Sequence, residues 1–123
     1  MKLPLTGVKV VEFEGLGPGP LAGRMLADMG AEVTVIAPPR QGAVAKLLGG
    51  ELVSPLRRGK TIVPLDLKQP EDNARAMALV EAADVLIEGN RPGVMERLGL
   101  GPAQCAARNP RLVYGRMTGW GQS

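Results

Sequence analysis

An apolar run, Asp84-Val85-Leu86-Ile87-Glu88, leads straight into Gly89-Asn90-Arg91-Pro92-Gly93, so the sequence places an arginine just after a short strand. Pro92 biases Arg91 toward an extended backbone, and the glycines on either side allow a sharp turn. A guanidinium held there can make paired hydrogen bonds to phosphate oxygens, at the carboxyl edge where open parallel sheets bind ligands. The plainer reading is a solvated loop arginine. Arg57-Arg58-Gly59-Lys60 is a second basic cluster just before a strand. Mobile cations at one mouth would raise the capture rate of a polyphosphate, and Gly59 would let a ligand approach the backbone. For at least one of the three cations, a solvated charge is the default.

Other spacings invite chemistry and then argue against it. Glu12 and Glu14 lie two apart and so face the same side of an extended segment, as a general acid/base pair would. Glu14 falls at the strand end, however, and Glu12 reads more simply as a buried or ion-paired strand residue. Gly17-Pro18-Gly19-Pro20-Leu21-Ala22 fits a loose dinucleotide-binding pattern. Phosphate cradles donate backbone amide hydrogens, and Pro18 and Pro20 have none. The acid expected at the end of the second strand is also missing, since Ala37 follows Ile36. Histidine is absent altogether, which removes the commonest general base and metal ligand. The single cysteine, Cys105, excludes an internal disulfide and a cysteine-cluster zinc site, and its helical setting favours buried packing over nucleophilic chemistry. Tyr114 reads as a packing residue and Trp120 as a loop anchor.

The elements that must position these residues alternate. Val8 to Phe13 predicts a strand, followed by a helix opened by Pro20 and carried through Leu21, Met25, Leu26 and Met29, with Gly30 at its C′ position. Glu32 to Ile36 predicts the second strand, parallel to the first through a right-handed crossover. Ala37 to Lys60 is broken by prolines and glycines and reads as a long connection with a short helix around Val44 to Leu48. Thr61 to Leu65 is a strand whose Pro64 suits a sheet edge. A helix from Pro70 to about Ala82, a strand from Asp84 to Glu88, a turn or two of helix over Val94 to Leu98, a helix from Pro102 to Arg108 and a strand from Leu112 to Arg116 complete the chain. The expectation is one α/β unit over 1–123, a Rossmann-like three-layer domain with a mostly parallel sheet.

With 45% hydrophobic and 22% charged residues, the chain can bury a core and does not resemble a disordered segment. The three aromatic residues, Phe13, Tyr114 and Trp120, are too few to stack single-stranded nucleic acid, and a net charge of +3 is modest, so no nucleic-acid partner is expected. No run is long enough for a membrane span and no signal-peptide pattern opens the chain, so the expected setting is the reducing cytoplasm.

The Asp84–Pro102 run closely resembles the signature of the family III coenzyme A transferases, in particular the branch containing alpha-methylacyl-CoA racemase. Leu5-Thr6-Gly7-Val8-Lys9-Val10-Val11-Glu12, Gly17-Pro18-Gly19-Pro20, Asp28-Met29-Gly30-Ala31-Glu32-Val33, Leu65-Asp66-Leu67-Lys68 and Arg116-Met117-Thr118-Gly119-Trp120-Gly121-Gln122 follow in that family's order. The resemblance implies an acyl-CoA enzyme acting on a coenzyme A thioester as substrate, with no tightly bound cofactor and no metal, in the setting of fatty acid metabolism. It implies proton exchange alpha to the thioester carbonyl, or coenzyme A transfer between carboxylates. It carries over Leu16 and Gly17 as contacts beside the thioester, and Asn90, Arg91, Arg97 and Leu98 as lining for the nucleotide and pantetheine parts. Arg57, Lys60 and Thr118 are carried over as coenzyme contacts. Arg97 has the alternative of pairing with Glu96 or a helix end. Relatives commonly have an arginine where this chain has Pro38, and Arg40 is the candidate replacement. The family's catalytic histidine and aspartate follow the Thr-Gly-Trp-Gly loop, so the expectation is an amino-terminal part, incomplete relative to the family, inactive alone and without a catalytic residue. Relatives form interlocked homodimers, so self-association is expected. The rival readings are a non-catalytic coenzyme A-binding or assembly module and, less favoured, a dinucleotide oxidoreductase domain.

Overall fold

Short runs rich in valine and isoleucine set the architecture, because β-branched side chains suit a pleated surface covered on both sides. The computed structural model describes residues 3–14, 18–39 and 59–117. Five strands, β1 (Lys9–Phe13), β2 (Glu32–Ala37), β3 (Lys60–Pro64), β4 (Val85–Glu88) and β5 (Val113–Arg116), form one sheet in the order β3-β2-β1-β4-β5. Every neighbouring pair of strands is parallel: Val10 lies opposite Val33 and Val85, Val33 opposite Lys60, and Val85 opposite Val113. The expected α/β class and parallel sheet are therefore present. β3 begins at Lys60 and ends at Pro64, one residue earlier than the sequence suggests, and Pro64 does sit on an edge strand.

Period-two alternation divides the core. Val10, Val33, Val35 and Ile87 pack beneath helix α1 (Pro18–Asp28) through Ala22, Leu26 and Ala27. Val11, Phe13, Ile36 and Leu86 face the other way. They meet Ala76 and Val80 of α2 (Pro70–Glu81), Met95 of α3 (Val94–Arg97) and Cys105 of α4 (Pro102–Arg108). Helices on both faces make the three-layer arrangement.

Helix α1 opens at Pro18, two residues before the expected start. The first turn of a helix leaves its N–H groups without intrahelical partners, so prolines at Pro18 and Pro20 cost no hydrogen bond. Gly30 follows the helix at φ +106°, the left-handed conformation expected of a C′ glycine. Gly93 caps α3 at φ +89°, which is why a four-residue helix can start directly after the Arg91-Pro92 turn. The short helix expected at Val44 to Leu48 lies outside the described residues.

Candidate functional site

The strand order reverses between β1 and β4, since successive crossovers run from β1 to one side and from β3 back to the other. In open α/β sheets the crevice beyond the carboxyl ends at that reversal is where ligands bind. A cleft of about 270 Å³ opens beyond these strand ends. Phe13, Ile36, Ala37, Pro38, Leu65 and Leu67 supply apolar lining from the β1, β2 and β3 ends, and Val94 and Leu98 line it from α3 and its cap. Its polar groups are Glu14, Asp66, Lys68 and Asn90. An apolar crevice with a few placed polar groups is the usual form of a small-molecule site.

The loop carrying Asn90 is fixed from below. Glu88 is buried, and its Oε1 accepts the Asn90 backbone N–H at 2.8 Å while Oε2 accepts Arg116 Nε at 2.8 Å. Arg116 then reaches Glu96 with both terminal nitrogens, at 2.8 and 2.9 Å. This fork holds the Glu96 carboxyl down at about pKa 2, chiefly through the Arg116 hydrogen bond, and raises the guanidinium in turn. Asn90 Nδ2 contacts Met95 Sδ at 3.3 Å. Beyond α3, Tyr114 donates its hydroxyl to the Leu100 carbonyl at 2.8 Å, and burial pushes that phenol up.

A second polar node lies under α1. Lys60 Nζ donates to Glu12 Oε1 at 2.7 Å and to the Pro20 carbonyl at 2.9 Å. Only 1% of the lysine side chain and 3% of the glutamate side chain are exposed. Burial pushes the Glu12 carboxyl up, an effect that the lysine opposes but does not cancel. The carboxylate occupies the space that a side chain at Gly23 would fill, so α1 comes this close to β1 only with glycine there.

The sequence-derived residues therefore separate. Asn90 and Leu98 share the cleft. Arg91 and Arg97 are exposed beside it, and neither is among its lining residues. Lys60 is not the mobile cation that its neighbours suggested, because its ammonium is buried against Glu12. Glu96 is hydrogen-bonded by Arg116, and the neighbouring Arg97 acts on the same carboxylate through its charge. Leu16, Gly17, Arg40, Arg57, Thr118 and Trp120 lie outside the described residues. Lys68 was missed as a site residue. Its position just past a strand end, in the Leu65-Asp66-Leu67-Lys68 run, was the available signal. Cys105 is buried, donates to the Leu100 carbonyl at 3.3 Å and has its pKa raised by burial, the opposite of an activated thiol. Among the described residues no group of three His, Cys, Asp or Glu could hold a metal ion, and no helix is long and apolar enough to cross a membrane.

Comparison with known proteins decides the family. The family model described as CoA-transferase family III matches residues 5–123. The chain belongs to CoA-transferase family III. Human alpha-methylacyl-CoA racemase is 45% identical over 121 residues, covering 98% of this chain and 30% of the racemase. A Mycobacterium tuberculosis protein described as a probable fatty acyl-CoA transferase, Rv3272, is 40% identical over 126 residues, covering 96% of this chain and 32% of that protein. A crystal structure of Rv3272 superimposes with a TM-score of 0.87 at 39% identity, covering 98% of this chain and 35% of that one. This family III chain thus spans about a third of the length of the relatives it matches. The match to the racemase falls in the racemase's amino-terminal portion.

Proposed function

We propose that this chain is the coenzyme A-binding sheet of an acyl-CoA enzyme of family III, one that exchanges the proton alpha to a thioester carbonyl as a racemase does. Coenzyme A transfer between carboxylates is the second reading, favoured by the transferases among the relatives, Rv3272 included. The observation that carries the proposal is the apolar cleft beyond the strand ends, with Asn90 and Leu98 in its lining. At about 270 Å³ it suits one end of the coenzyme rather than the whole molecule. Lys68 brings a cation into that cleft, and the exposed side chains of Arg91 and Arg97 beside it can extend toward a polyphosphate. Leu16, Gly17, Arg57 and Thr118 stay in the proposed contact set through family resemblance. Lys60 stands behind that set as a positioning residue, joining α1 to the sheet through Glu12 and the Pro20 carbonyl. A dinucleotide fits less well, because α1 begins with two prolines and β2 ends at Ala37 without an acid.

No residue of this chain is assigned to catalysis, and the chain alone is expected to show no turnover. Glu12 is locked under α1, and the sequence contains no histidine. A homodimer and a cytoplasmic setting complete the proposal, the latter supported by a free buried thiol that suits a reducing compartment.

Calorimetric titration with coenzyme A and with NAD tests the assignment. Coenzyme A should bind more tightly than NAD. Arg91→Ala should cost about 1.5–3 kcal/mol of that affinity if the guanidinium hydrogen-bonds a phosphate. Tighter binding of NAD, or no change on removing Arg91, overturns the assignment.

A further inference from the structure

We propose that Asn73 is a positioning residue that sets the gap between two walls of the cleft, an inference that rests on reading the cleft as the coenzyme A site. Leu67 follows β3 and Leu98 caps α3, and both line the cleft. Asn73, in the first turns of α2, donates from Nδ2 to the Leu67 carbonyl at 3.1 Å and to the Leu98 carbonyl at 2.8 Å. The planar NH₂ carries two hydrogens pointing in different directions, so a single side chain can serve both carbonyls. The two walls are far apart in sequence, 6 and 25 residues from Asn73.

The residues beside Asn73 fix the first wall to the same helix. Asp72 Oδ2 accepts the Asp66 N–H at 2.8 Å, and Asp66 Oδ1 accepts the Lys68 N–H at 3.1 Å. The loop presenting Lys68 is therefore tied to the start of α2, and Asn73 carries that tie across to α3. Without it, the Leu67 and Leu98 carbonyls turn to water independently, and a ligand must order the two walls as it binds.

The far end of α2 supplies the control. Asn109 is buried and donates in the same manner to the Val80 and Ala83 carbonyls, at 3.0 and 2.7 Å, where the helix runs into β4. Like Asn73 it bridges two backbone carbonyls with one amide, but at the end of α2 away from the cleft.

The experiment uses the full chain, after a thermal melt has established that each variant folds. Asn73→Ala should weaken coenzyme A binding roughly tenfold, the loss of about one net hydrogen bond. Asn73→Asp keeps the size and removes both donors, so it should lose as much, whereas a packing role would leave it near wild type. Asn109→Ala should lower the melting temperature and leave affinity unchanged. Amide hydrogen exchange at Lys68, Gln69, Gly99 and Leu100 should accelerate together in both Asn73 variants and not in Asn109→Ala. Unchanged affinity in Asn73→Asp, or acceleration at only one wall, overturns the inference. If the wild type binds no coenzyme A, the proposed function falls and the exchange data alone decide the clamp, with coupled loosening upholding it and one-sided loosening ending it.

Discussion

Glu12 on β1 and Lys60 on β3 are separated by the whole of β2, and the lysine stem crosses it beneath α1 to close a buried ion pair. Breaking such a pair leaves one charge uncompensated, whereas replacing both partners with apolar groups is often neutral or stabilising. Lys60→Met should therefore cost about 3–5 kcal/mol near neutral pH, and the double variant Lys60→Met with Glu12→Leu should recover most of it. The pH dependence follows from the raised Glu12 carboxyl. Above the ordinary value of 4.5, the folded protein holds this proton more tightly than the unfolded chain does, so stability falls as pH rises through that window. Removing the lysine raises the carboxyl further. The deficit of Lys60→Met should then be small near pH 4.5 and grow toward neutrality, and the double variant should lose this slope. Urea unfolding at several pH values measures it. A deficit independent of pH would show that Glu12 is not the stranded charge.

At the scale of elements, Arg116 at the end of β5 joins β4 to α3 and so supports the Asn90 turn. Glu88 is 1% exposed and Arg116 17%, so this half of the bridge is shielded, while Glu96 lies at the surface. A lysine keeps the charge but cannot present the planar fork that meets Glu88 and both Glu96 oxygens. Arg116→Lys should cost about 1.5–3 kcal/mol in chemical unfolding, the range for hydrogen bonds to charged groups. Because the Glu96 carboxyl is depressed, its contribution is present above the ordinary 4.5 and fades as pH falls toward about 2. The wild-type advantage over Arg116→Lys should narrow in that acid range. A lysine variant as stable as wild type would show that the fork is incidental.

The same elements show what could be read from residue order. β-branched runs, Pro70 and Pro102 as helix starts, Gly30 as a stop and Pro64 at an edge are local signals, and they located the strands and helices to within a residue or two. Glu12 as an ion-paired strand residue and Cys105 as packing were also legible, since both lie within apolar runs. The partnership of Lys60 was not. Beside Arg57 and Arg58 it reads as part of a surface cluster, and its partner lies 48 residues away on a strand that becomes near only once β2 is inserted. Arg116 as the hydrogen-bond partner of Glu96 was missed for the same reason, since it lies 20 residues away in sequence. Of the cleft, Asn90 and Leu98 were found through a run of residues with a recognisable order, whereas Lys68 emerged only when the ends of β1, β2 and β3 were brought together.

At the scale of the whole molecule, the two faces of the sheet are covered unequally. Among the described residues, α2, α3 and α4 pack one face and α1 packs the other. On the outward side of α1 and the turn that follows it, Leu21, Met25 and Met29 are 51%, 55% and 39% exposed. Their spacing of four residues aligns them in a single stripe along the helix. Leu3, also 51% exposed, lies at its foot against Gly30. A continuous apolar stripe on a helix that already buries its other side is the kind of surface that marks an interaction site. In the proposed homodimer it would face protein rather than water. The chain is therefore expected to bind a hydrophobic dye and to show concentration-dependent sedimentation. Replacing Leu21 and Met25 together by lysine should reduce both, while changing unfolding free energy by no more than about 0.5 kcal/mol per substitution, since neither side chain is in the core. A wild-type chain that sediments as a monomer at all concentrations and binds no dye would remove the stripe from the interface, and with it the physical support for a dimer built on α1.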